Sequence, residues 1–62
     1  MQQQSLEKKA ISLAYFIKGL YRRGVITARR ARNALDRLAL RMENAGEYEA
    51  AEEISMLYMQ CA

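Results

Sequence analysis

The chain contains no histidine, no proline and no tryptophan, and Cys61 is its only cysteine. Each absence removes a class of function. One thiol cannot close a disulfide within the chain, and without histidine no zinc site of the usual Cys and His ligands can form. No metal and no other cofactor is expected. Nor does any apolar run approach the ~18–20 residues that a membrane-spanning helix requires, so no membrane is expected as a partner. The opening Met1-Gln2-Gln3-Gln4-Ser5 lacks the basic start and apolar core of a secretory signal. With the lone thiol, this points to the cytoplasm.

What is present is greasy and charged at once. Of 62 residues, 52% are hydrophobic and 27% charged, too apolar for a disordered tail. Residues 1–62 read as a single domain. A chain this short buries only ~60% of the surface its unfolded form exposes, which makes a lone monomer marginal. With disulfides and zinc excluded, self-association is the remaining source of stability. The net charge of +3 hides an asymmetry. All ten Lys and Arg residues lie between Lys8 and Arg41 with only Asp36 against them, whereas five Glu and no base follow from Glu43 onward. Regions of opposite sign can attract within one fold or between copies, or present a basic face to nucleic acid.

Periodicity predicts an all-α fold of three short helices, at about 5–23, 28–45 and 47–60, arranged as a helical hairpin with a first helix packed on it. In the first, Leu6, Ala10, Leu13, Ile17 and Leu20 recur at spacings of 4, 3, 4 and 3, with Phe16, Ala14 and Tyr21 widening the stripe. Ser5 is placed to cap it, and Gly24 to end it in a left-handed turn. Gly19 is a weak point inside. Across that turn Val25 is expected to touch Leu20, and Ile26 to pack on the next helix. Thr27 is placed to cap the second helix, whose Ala31, Leu35, Leu38, Met42 and Ala45 repeat the same spacing before Gly46. The third presents Ala51, Ile54, Tyr58 and Cys61, with Ala50 and Leu57 beside them.

The segment Leu35-x-x-Leu38-Ala39-x-x-Met42-x-x-x-Gly46-Glu47-Tyr48-Glu49-x-Ala51 resembles one helix pair of the tetratricopeptide repeat family. In that family large residues pack at the first, fourth and eighth places, Gly and Tyr shape the turn, and a small Ala admits the second helix. The likeness spans Arg32 to Tyr58. It departs at Ser55, where the family has an aromatic, and in lacking the closing proline. It implies an antiparallel hairpin of the second and third helices; one unit does not make the solenoid that binds peptides. Lys8-x-x-Ile11…Phe16-Ile17-Lys18 is also similar to the plasmid repressor-of-primer family, dimeric helical hairpins that bind RNA. In overall format the chain resembles small accessory regulators of bacteriophages and plasmids.

Three sets of side chains are candidates for function. Arg30, Arg37 and Arg41 fall within about 40° on the second helix at 100° per residue. Arg29 and Asn33 stand beside them, and Arg22 and Arg23 lie just across the loop. Arginine clamps phosphates and reads guanine, and asparagine can read adenine, so this set could face nucleic acid or an acidic protein. The plainer reading is a solvated face whose charge the acidic third helix balances. Glu52 and Glu53 point in different directions and have no histidine to work with, so no catalytic residue is assigned and no enzyme is expected. The third set is surplus apolar surface: Ile11 and Tyr15 on the first helix, Leu40 among the charges of the second, and Ile54, Met56, Leu57, Tyr58 and Met59 on the third. The last helix has an apolar arc of about 200°. Clustered apolar residues rimmed by charge mark interfaces. The expected protein is therefore a small, non-enzymatic regulator or adaptor that binds itself as a homodimer, and binds another protein. A DNA- or RNA-binding regulator using the second helix is the alternative.

Overall fold

A computed structural model describes residues 6–61 and shows three helices, α1 (Leu6–Arg22), α2 (Ala28–Asn44) and α3 (Tyr48–Gln60). The boundaries match the expected ones to within a residue or so. Ser5 lies outside the described residues. Thr27 caps α2 as its sequence position requires: its backbone is extended, and its hydroxyl accepts the Arg30 backbone N–H at 3.2 Å.

Both connections are built on the same backbone device. After α1, Val25 N–H donates to the Leu20 carbonyl at 2.9 Å and Gly24 N–H to that of Tyr21 at 3.0 Å. After α2, Glu47 N–H donates to Met42 at 2.8 Å and Gly46 N–H to Glu43 at 3.0 Å. These paired bonds form Schellman turns, whose pivot residue must be left-handed; Gly24 and Gly46 have φ of +78° and +81°. Val25 is joined to Leu20 through the backbone, while its side chain is largely exposed. Ile26 packs partly against the core.

The second turn folds α3 back along α2, giving the most extensive helix contact of the chain. That pairing is antiparallel. Near the start of α2, Arg32 sends its guanidinium Nη1 to the Cys61 carbonyl at 2.6 Å, holding a backbone oxygen at the far end of α3. Across the pair, α1 runs parallel to α3, with Tyr15 bonded to Glu53 and Lys18 to Gln60.

The core between the helices consists of Ala10, Ala14 and Ile17 from α1, Ala31, Leu35, Leu38 and Met42 from α2, and Ala50, Ala51, Ile54, Leu57 and Cys61 from the last segment. Five of these twelve are alanine, and none is aromatic. Small side chains let helix axes approach to the near end of the usual ~8–10 Å range. The resulting body measures 37 × 23 × 13 Å.

This arrangement corrects several expectations. The buried face of α1 centres on Ala10, Ala14 and Ile17, a rotation of about 50° from the predicted stripe at 100° per residue. Leu6 and Leu13 are consequently half exposed, and Ile11 is turned partly against the core. The apolar arc of α1 is wider than any contact it can make, and its alanine edge permits the closer approach. Ile54 and Leu57, placed among candidate interface residues, are 0% and 4% exposed in the core of the single chain. They are unavailable to a partner without unfolding. Tyr58, expected on the inner face of α3, stands outside it, as does Ala45 at the end of α2.

Two stability predictions follow from these positions. Ile54→Ala should cost ~2–5 kcal/mol, enough to leave a domain this small largely unfolded by circular dichroism in urea titration. The glycines should separate by sign: Gly24→Ala or Gly46→Ala should lose about 1–2 kcal/mol through the left-handed strain. Gly19 is helical and a methyl there meets open space, so Gly19→Ala should gain roughly 0.5–1 kcal/mol in the same titration.

Candidate interaction surfaces

With five alanines among its twelve residues, the core leaves many large apolar side chains on the outside. Ten of them are exposed among the described residues, from Tyr58 at 37% to Met59 at 75%. All five aromatics of the chain lie outside the fully buried core, with Tyr21 the most nearly covered. Single exposed apolar residues are ordinary, and Leu40, alone among charges on the outer side of α2, is one of these. Two groups are contiguous.

The first lies along the seam of α1 and α2. Leu6, Ala10 and Leu13 line one wall of a groove there, Leu38 and Met42 the other, and Lys9 and Arg41 stand at its rim. Phe16, 56% exposed, lies one turn beyond Leu13 on the outer shoulder of this wall, about 20° from Lys9 at 100° per residue. Arg37 joins Leu38 and Arg41 in a hollow on the neighbouring side of α2. All the charges at this seam are positive. The second group lies on α3, where Tyr48, Glu52, Met56 and Met59 fall within about 80° of each other at 100° per residue. Glu49 borders this stripe, and all five side chains are exposed. Every charge here is negative.

The expected interface residues are therefore divided. Tyr15 and Met56 come together along the seam of α1 and α3, beside Glu49, Glu52 and Glu53. Met59 joins Met56 on the outer face. Tyr58 emerges on the opposite flank of α3, about 160° from Met56. Leu6, Leu13, Phe16 and Tyr48 were missed as surface residues. The signal that could have revealed the first three is the pair Ala10 and Ala14, which marks the edge of α1 that a close-packed neighbour prefers.

The expected basic set is on the surface throughout: Arg22, Arg23, Arg29, Arg30, Asn33, Arg37 and Arg41 are all exposed. Arg30, Asn33 and Arg37 line a shallow hollow with Ala34 and Asp36 on the outer side of α2. Asp36 places a negative charge inside that hollow. Among the described residues there is no cluster of three or more acidic, Cys or His side chains suited to a metal ion, and no helix long and apolar enough to cross a membrane. Cys61 is buried.

One side-chain bond ties the first helix to the third and carries an electrostatic signature. The Tyr15 hydroxyl donates to the Glu53 carboxylate at 2.9 Å. That bond raises the Tyr15 pKa, and the carboxylate's charge and some desolvation push it the same way, since ionisation would set a phenolate against a carboxylate. A raised folded-state pKa means the contact helps the fold below the ordinary tyrosine range and is lost as pH rises through the shifted value. In a phenolate absorbance titration, Glu53→Ala should bring the Tyr15 transition down toward that of an exposed tyrosine. An unchanged titration would show that the bond does not persist in solution.

No protein-family model matches this chain, and neither a curated protein nor a solved structure matches it.

Proposed function

We propose that the protein is a small non-enzymatic regulator or adaptor that works by binding protein chains, itself included, through apolar surfaces edged with charge. The observation that carries this reading is the placement of Leu6, Leu13, Phe16, Tyr48, Met56 and Met59 outside the core in two contiguous groups. Apolar surface left exposed in patches with polar rims is characteristic of interaction sites. Methionine and tyrosine suit the task, the first by adapting its shape and the second by offering rigid area with a polar tip. A pair of copies is the smallest assembly, and the cytoplasm the compartment. Its resemblance in format to the small accessory regulators of phages and plasmids supports a role of that kind.

The single test is capture from an extract of the source cell with the tagged full chain as bait. The wild type should retain a defined protein, and L13S/F16S together with M56S/M59S should lose it while keeping full helix content. Equal retention by wild type and variant would remove these surfaces from the binding role.

The exposed hollow of Arg30, Asn33 and Arg37 favours a second reading, direct contact with DNA or RNA. Phosphate binding would weaken by orders of magnitude between ~50 and ~200 mM salt for 6–10 contacts, and R30E/R37E/R41E would abolish a gel shift. Absence of any shift at low salt would eliminate this reading.

A further inference from the structure

The two exposed groups are complementary in two respects: sign and length. The seam of α1 and α2 is concave and apolar, about 220 Å³ in volume, with Lys9 and Arg41 on its rim and Arg37 close by. The outer stripe of α3 exposes Tyr48, Met56 and Met59, with Glu49 and Glu52 among them. Along α1, Leu6 to Phe16 covers ~15 Å at 1.5 Å per residue, and along α3, Tyr48 to Met59 covers ~16 Å. Tyr48, Met56 and Met59, at i, i+8 and i+11, share one face of the helix, as apolar anchors laid into a groove must.

We propose that the α1–α2 groove of one copy is filled by the outer face of α3 of a second copy. This rests on the protein-binding reading given above and names its occupant. Seating the stripe brings Met56 and Met59 against Leu6, Leu13 and Phe16, and sets the two glutamates among the three bases. Desolvation of the apolar residues holds the contact, and the opposed charges fix its direction and reject the alternative of groove against groove.

The geometry has a consequence for assembly. The groove is lined by α1 and α2 alone, and the stripe lies on the side of α3 turned away from its buried face. A copy therefore uses its groove for one neighbour and its stripe for another. Such head-to-tail contacts close into a ring or continue as a chain. Association does not stop at two.

Charge exchange tests this directly, with sedimentation equilibrium of the full chain as the readout. Wild type should gain mass beyond a dimer as concentration rises. K9E/R41E makes the groove acidic and E49K/E52K makes the stripe basic; each alone should need at least about tenfold more protein to associate, because like charges then meet. Mixed in equal amounts, the two variants should assemble again, since the acidic groove of one accepts the basic stripe of the other and the unaltered faces still match. That rescue also separates loss of contact from loss of fold, which circular dichroism of each variant checks independently. These results would overturn the proposal: variants that associate like wild type, a mixture that stays dissociated, or a wild-type mass that stops at two copies. The last would indicate a two-fold interface and leave self-association itself intact. A wild type that remains monomeric would overturn it as well, while capture of a different protein through the same faces would keep the broader binding role.

Discussion

Packing of three helices on an alanine-rich core is the constraint from which the rest of the molecule follows. Ala10 and Ala14 on α1 meet a hairpin whose own inner faces carry Ala31, Ala50 and Ala51. Large residues fill what the alanines leave: Leu35, Met42 and Ile54 are fully buried, and Ile17, Leu38 and Leu57 nearly so. Burial of each is worth ~1.5–3 kcal/mol, and a core of this size provides few such contributions. The Tyr15–Glu53 bond and the Arg32 guanidinium on the Cys61 carbonyl bind the helices at their margins.

The same constraint explains the surface. A wide apolar arc on α1 and another on α3 cannot both be enclosed by a bundle of only three helices. Rotation of α1 onto its alanine edge leaves its leucines on one flank, beside the basic side of α2. On α3, burial of Ala50, Ala51, Ile54 and Leu57 directs Met56 and Met59 outward among glutamates. The sequence asymmetry between a basic first two-thirds and an acidic end is thereby converted into a spatial one. Lys9, Arg37 and Arg41 stand at the α1–α2 seam and Glu49 and Glu52 on the outer side of α3, each set with oily residues beside it.

Much of this was legible before the structure. The three helices, the Thr27 cap and the glycine turns rest on local chemistry: capping hydrogen bonds, left-handed pivots and a 3.6-residue period. The inner faces of α2 and most of α3 were readable for the same reason, because their apolar stripes are narrow enough to leave one choice. On α1 the stripe is broad, and period alone could not decide which edge faces inward. That decision belongs to tertiary packing, where Ala10 and Ala14 fit against the hairpin better than Leu6 and Leu13. The basic set on α2 was recognised as exposed because arginine seldom tolerates burial. Assigning Ile54 and Leu57 to an external contact failed because the core needs them first.

The brevity of the links has a kinetic meaning. Only three residues separate α2 from α3 and five separate α1 from α2, so neighbouring helices dock with partners adjacent in sequence. Topologies dominated by such local pairings fold in microseconds to milliseconds, well ahead of most bimolecular encounters at cellular concentrations. A copy that has folded meets a second as a finished body, and little entropy remains to be lost at the moment of capture.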